Sequence, residues 1–159
     1  LATDLHIRGL EEGLNQVRDR FSNVRVQEMD AQNPNIEKAS FDLLIATCLL
    51  IHLNDPEKAL NEWRNMAKQG GELVIYVPCD PGLLIRVSRN LIVRTKNRKH
   101  GCEDYELICA REHKSSLHVL DRYIKNIFNA DSIKISTWPI PKLYLWNLNL
   151  AYIYTIKKL

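Results

Sequence analysis

Phe41-Asp42-Leu43-Leu44-Ile45-Ala46-Thr47-Cys48-Leu49-Leu50-Ile51-His52-Leu53 is the stretch whose reading decides the fold. From Phe41 to Leu50 it is apolar almost throughout, interrupted mainly by Asp42 and Thr47. A short continuous apolar run between polar segments suits a strand covered on both faces, as in a parallel sheet. Asn54-Asp55-Pro56-Glu57 then starts a helix, with a capping side chain, Pro at the first position and an acid in the first turn. Ala59, Leu60, Trp63, Met66 and Ala67 make the face this helix buries. Gly70-Gly71 is expected to stop it, and Glu72 to Val77 to form the next strand. Strand, helix and strand in this rhythm are a βαβ unit, which places helices on both faces of a parallel sheet.

Outward from this block the pattern first continues and then changes. Upstream, Leu1-Ala2-Thr3-Asp4 reads as the end of a strand, and Leu10, Leu14, Val17 and Phe21 follow at helical spacing. Val24 and Val26 alternate with Arg25 and Gln27 in a second strand that ends at Met29-Asp30. Downstream, residues 80–130 read as a helical insertion, closed by a helix that Ser116 caps, with Leu117, Leu120, Ile124, Ile127 and Phe128 inward. Ile133 and Ile135 mark a strand, Trp138-Pro139-Ile140-Pro141 a rigid loop, and Asn149 to Ile156 a final strand. Two late strands joined by a short loop are most simply antiparallel. The fold class is therefore α/β, a doubly wound and mostly parallel sheet with an antiparallel C-terminal strand pair.

Composition sets the bounds. The 159 residues fit one domain. With 45% hydrophobic and 26% charged residues they exclude long disorder, a collagen-like chain and a disulfide scaffold. The apolar stretch Leu43 to Leu53 is too short for a bilayer span, which needs ~20 residues. A net charge of +3 does not by itself imply nucleic acid. Cys48, Cys79, Cys102 and Cys109 form no C-x-x-C pair, which fits free thiols in a reducing compartment, the cytoplasm. His100, Cys102, Cys109, His113 and His118 cluster in sequence, but their spacing does not repeat as zinc knuckles require, so no metal is expected. Arg86, Arg89, Arg94, Lys96, Arg98 and Lys99 form a basic run without an acid. Such a run is a solvated helix face or a surface for an anionic acceptor. No aromatic residue lies between Arg86 and His100, which argues against nucleic acid.

In an open α/β sheet, ligands collect outside the carboxyl ends of the strands. Three such ends here carry groups suited to an adenosine. Asp4 is placed to accept from two ribose hydroxyls, Asp30 from an adenine amino group, and Ala46-Thr47-Cys48 forms a turn beside them. An acid at a strand end serves as often to cap a helix or hold a turn.

Phe41 to Leu53, Asp55-Pro56, and Lys68-Gln69-Gly70-Gly71-Glu72-Leu73-Val74-Ile75 together resemble the central block of class I S-adenosylmethionine-dependent methyltransferases. Ile51 stands where the family has the first His of H-H-L, and Gln69 where it has the Pro of K-P-G-G. The resemblance implies a Rossmann-like fold, S-adenosylmethionine as cofactor and S-adenosylhomocysteine as product. It implies a cofactor site at Asp4, Leu5, Asp30, Ala31, Thr47 and Cys48. His52, just past the strand, becomes the candidate base, or a residue that caps the turn and packs on the cofactor. The insertion implies the acceptor side, with Tyr105, His113, Trp138 and Trp146 as lining candidates for a small, anionic or sugar-containing molecule. The family's first strand and G-x-G-x-G loop would precede Leu1, and no such glycine pattern occurs in the chain. The expectation is an N-terminally incomplete domain that binds cofactor poorly as it stands.

Two rivals remain at this level. One is a non-catalytic methyltransferase-like binding module. The other is a nicotinamide-dependent dehydrogenase, whose Tyr-x-x-x-Lys spacing Tyr154 and Lys158 match. On a strand, however, those four steps span about 13 Å, too far for the Lys to assist the Tyr.

Overall fold

The computed structural model describes residues 1–6, 10–13, 15, 20, 23–93 and 105–159. Strands β1 (Ala2–Asp4) and β2 (Val26–Glu28) pair in parallel as a two-stranded sheet. A second sheet holds β3 (Phe41–Thr47), β4 (Ala67–Pro78), β5 (Ser132–Trp138) and β6 (Ala151–Lys157), in the order β3-β4-β6-β5. The β3–β4 pair is parallel, and β6 runs antiparallel to both β4 and β5. Helix α1 (Pro56–Met66) crosses from β3 to β4. Helices α2 (Leu83–Ser88), α3 (Tyr105–Glu112) and α4 (Leu117–Ile127) fill the segment between β4 and β5. The α/β class and the antiparallel end are as the sequence predicts. Of the helix expected near Leu10, residues 10–13 are helical, while Leu14, Val17 and Phe21 lie outside the described residues.

The core lies between the four-stranded sheet and helices α1 and α4. Ala59, Leu60, Trp63 and Met66 of α1 meet Leu73, Ile75 and Val77 of β4, with Leu117, Leu120, Ile124 and Phe128 closing the layer. Asp55 accepts from the Lys58 amide at 2.9 Å and caps α1, with Pro56 at its first position. This bond satisfies one of the amides that every helix start leaves open.

Three details depart from the sequence reading. The α1 helix ends at Met66, and β4 is already underway at Ala67, three residues before the glycine pair. Gly70 and Gly71 shape an irregularity within the strand, where the register shifts between Phe41 and Leu43. Gly70 has φ +75°, and a Cβ on Gly71 would sit 3.1 Å from the Phe41 carbonyl oxygen, so both positions need glycine for geometric reasons. Second, β3 is not covered on both faces. Leu43 and Ile45 are 51% and 62% exposed, because among the described residues nothing packs on the face they share. Third, the Ser116 side chain makes no capping bond. The Leu117 amide donates instead to the Asp80 carbonyl oxygen at 3.2 Å, which ties the start of α4 to the end of β4.

The late loop and the last strand are anchored by buried polar groups. Asn149 is fully buried and holds the 140–145 loop, donating to the Leu145 carbonyl at 3.1 Å and accepting from the Ile140 amide at 3.3 Å. Trp138 closes β5 and is half exposed. Tyr154 is buried in β6 and donates to Asp121 at 2.8 Å, while the Lys158 ammonium donates to the Arg64 and Ala67 carbonyls. The two residues of the dehydrogenase spacing thus serve separate structural roles.

Candidate active site

All the strand-end groups lie at the carboxyl ends of the parallel strands, where the fold class places ligands. At the end of β1, Asp4 is exposed, and one carboxylate oxygen accepts from the His6 amide at 3.1 Å. Its other oxygen has no partner among the described residues. Leu5, next to it, is 53% exposed. Past β2, the Asp30 carboxylate is committed to its own turn. It accepts from the Gln32 amide at 2.8 Å and from the Asn33 side chain at 2.8 Å. Those bonds, the Gln32 amide first, hold its pKa below the ordinary carboxylate value. Asp30 therefore shapes the loop more than it offers a free acceptor. Ala31 is fixed through its carbonyl, which accepts from the Trp63 indole at 3.0 Å.

Between the two sheets runs an apolar groove. Leu1 and Thr3, on the side of β1, line it together with Leu43 to Ala46 of β3, and Met29, Ala31, Ile36, Leu49 and Trp63 are among the other lining residues. Neither the free side of β1 nor that of β3 is paired with a strand among the described residues. At the end of β3, Thr47 is exposed and Cys48 adopts φ +54°, a left-handed conformation rare outside glycine. The Cys48 amide returns to the Tyr76 carbonyl at 3.2 Å, and desolvation pushes its thiol pKa up.

An open carboxylate at a strand end beside an apolar groove suits the ribose and base of an adenosine: a few polar groups orient, and apolar walls hold. On that observation the residues present fit S-adenosylmethionine on its adenosine side. Asp4 would hold the ribose, and Met29, Ala31, Ile36 and Leu49 would flank the base.

The second cluster sits at the end of β4. Cys79 is buried, and burial pushes its thiol pKa to about 12, so it is inert packing. Asp80, next to it, bonds Arg89 through one oxygen at 2.8 Å and the His113 Nδ1 through the other. Burial alone would raise the Asp80 pKa, but the Arg89 and His113 hydrogen bonds outweigh it and the value falls below normal. His52 follows β3 on a single 3₁₀ turn, Leu50–His52. Its Nδ1 lies 3.2 Å from the Glu112 carbonyl oxygen, and its ring meets the His113 ring edge-on at 5.1 Å. A carbonyl can only accept, so this contact makes Nδ1 the protonated nitrogen of neutral His52 and leaves Nε2 as its basic atom.

The structure thus brings His52 and His113 together and adds Asp80 and Arg89, a pairing the sequence reading missed. The Trp146 ring meets that of His118 edge-on, with the ring centres 4.7 Å apart. Tyr105 opens α3, but its side chain lies outside the described residues, as do His100, Cys102 and the basic residues from Arg94 to Lys99.

A family model described as a methyltransferase domain matches residues 2–75. Over 74 residues, 45% of this chain, it is 32% identical to the ubiquinone/menaquinone biosynthesis C-methyltransferase UbiE of Campylobacter jejuni. The chain spans 32% of the length of that relative. Among solved structures, a SAM-dependent methyltransferase of Thermotoga maritima matches with TM-score 0.58 and 19% identity, covering 94% of this chain and 70% of the other. A Haemonchus contortus phosphoethanolamine N-methyltransferase in complex with S-adenosylhomocysteine matches with TM-score 0.61 and 13% identity, covering 98% and 43%. At such identities the structural likeness concerns the fold, and the sequence pattern carries the rest. Residues 2–75 thus match a methyltransferase domain in sequence, and the chain is similar in fold to solved S-adenosylmethionine-dependent methyltransferases.

Proposed function

We propose that the protein transfers a methyl group from S-adenosylmethionine to a small acceptor, anionic or sugar-containing, in the cytoplasm. The observation that carries this reading is the methyltransferase pattern over residues 2–75, with Asp4 exposed at the end of β1, next in the chain to Thr3 of the apolar groove. When bound, S-adenosylmethionine supplies an activated methyl group on a sulfonium. The residues of this chain have the simpler tasks of holding, orienting and excluding water. Asp4 and Leu5 border the ribose, Asp30 holds the loop that presents Ala31, and Thr47 and Cys48 form the wall nearest the acceptor. The acceptor side is the cluster at the end of β4, with His113 at its centre and Tyr105 and Trp146 as further lining residues. Nucleic acid is not the acceptor in this reading, since the basic run from Arg86 to His100 carries no aromatic residue for base stacking. The free thiols of Cys48, Cys79 and Cys109 support a reducing location.

His52 is the proton acceptor, because its Nε2 is the basic nitrogen and its ring stands at the edge of the acceptor cluster. Replacing it, as His52→Gln in the full-length protein, should leave cofactor affinity intact and lower turnover by about 10²-fold or more. Unchanged turnover would leave His52 only a packing role. The reading as a whole is tested by calorimetry of the full-length protein with S-adenosylhomocysteine. Saturable one-to-one binding is expected. No detectable heat would sink the reading and leave a non-catalytic module with a methyltransferase fold.

A further inference from the structure

The cluster at the end of β4 opens into a pocket of about 350 Å³, lined by Asp80, Pro81, Arg86, Arg89, Asn90 and His113, among others. Its charges do not cancel. Among the described residues two guanidinium groups face it and one carboxylate, and both oxygens of that carboxylate are already taken, by Arg89 and by His113. Arg89, Asp80 and His113 are largely buried, with side chains 18%, 12% and 15% exposed. Arg86 is exposed and makes no ion pair among the described residues. The Asn90 side chain has no hydrogen-bond partner there either. Arg89 uses one of its five N–H groups on Asp80, so most of its fork has no partner among the described residues. Among the described residues the pocket therefore holds several free donors and one more guanidinium than carboxylate, and that carboxylate is spent.

These groups are also held in place. Arg86, Arg89 and Asn90 stand three and four positions apart, the spacing that puts helical side chains on one face. Gly82, just before α2, has no room for a Cβ, which would lie 2.5 Å from the Cys79 carbonyl oxygen and 2.8 Å from that of Trp146. The Leu83 amide donates to the Asn147 side chain at 3.1 Å, and the Asp80 carbonyl accepts from the Leu117 amide. The segment bearing the arginines is thus tied to β4, to α4 and to the loop before β6. Donors fixed in advance lose little freedom when a ligand arrives.

We infer that this pocket is an oxyanion subsite, which takes a carboxylate or phosphate group of the acceptor on Arg86, Arg89 and Asn90. The inference rests on the methyl-transfer reading only for whose anion it is; the anion binding itself does not depend on the cofactor. Asp80 works as a positioning residue here. It neutralises part of Arg89, fixes the guanidinium plane, and leaves Arg86 as the cation that the incoming anion neutralises. Charge-assisted bonds of this kind are about twice as strong as neutral ones.

The test uses the full chain with inorganic phosphate, acetate and, as a neutral control, acetamide, each titrated while the His113 and Arg89 side-chain signals are followed by NMR. Saturable shifts are expected with phosphate or with acetate, and none with acetamide. The anion that saturates at the lower concentration identifies a phosphoryl or a carboxylate acceptor. Arg86→Gln should weaken that binding about tenfold or more, whereas Lys134→Gln, on the exposed side of β5, should leave it unchanged. No saturation with either anion, equal shifts with acetamide, or equal affinity in the Arg86 and Lys134 variants would overturn the inference. Failure of S-adenosylhomocysteine to bind strikes the methyl-transfer reading alone.

Discussion

Asp80→Asn should destabilise the protein by about 2–3 kcal/mol at neutral pH. Breaking a fully buried ion pair from one side costs ~3–5 kcal/mol, because the remaining charge is left uncompensated. Asp80 and Arg89 keep 12% and 18% of their side-chain surface, and the amide oxygen of Asn still accepts one bond, so the loss falls below that range. The effect carries a pH signature. The Asp80 pKa is depressed in the folded state from an ordinary 3.8, so its contribution is fully present above pH 3.8. It is lost as pH falls through the lower folded value. Urea unfolding of the two proteins should therefore show a gap at pH 5 that narrows below pH 3.8. A gap that stays the same or widens below pH 3.8 would mean that the network does not hold the carboxylate ionised. The same substitution frees Arg89 and His113 from their common anchor, so the oxyanion subsite should lose affinity along with stability.

How much of this was legible in the sequence differs sharply between fold and site. From Phe41 to Ile75 local signals and tertiary structure agree: an apolar run, a capping Asp followed by Pro, and a second apolar run each dictate one element. The end of α1 was misread because a glycine pair is a common helix stop, while here Gly70 and Gly71 serve the irregular pairing of β4 with β3 and with the chain after β6. Exposure of Leu43 and Ile45 could not be read from their hydrophobicity, since a strand's pattern shows that a face is apolar and not what lies over it. Strand-end acids could be found because the fold class says where to look. The Asp80 network could not, as its partners stand 9 and 33 residues away and meet only once α2 and α3 fold over the end of β4. The one available signal was the basic run, of which Arg86 and Arg89 line the pocket.

Trp63 joins the two halves of the problem and carries the largest expected loss. It is 3% exposed, packs in the core with Leu60 and Met66, and also lines the apolar groove beside Ala31. Trp63→Ala removes the ring from both places and should cost about 3–5 kcal/mol in chemical unfolding. Trp63→Phe separates the two roles. It keeps most of the apolar volume but leaves the Ala31 carbonyl without its indole donor, for a loss of about 1–2 kcal/mol. If Ala31 and its neighbours flank the adenine, the Phe variant of the full-length protein should stay folded yet bind S-adenosylhomocysteine more weakly. The bond to Ala31 acts with two others that tie this loop to the start of α1: Gln32 accepts from the Asp55 amide at 2.7 Å, and Asn33 from the Lys58 ammonium. Wild-type affinity in a Trp63→Phe protein of reduced stability would show that the indole supports the core and not the cofactor wall. Equal stability of the Ala variant and the wild type would contradict the packing of α1 itself.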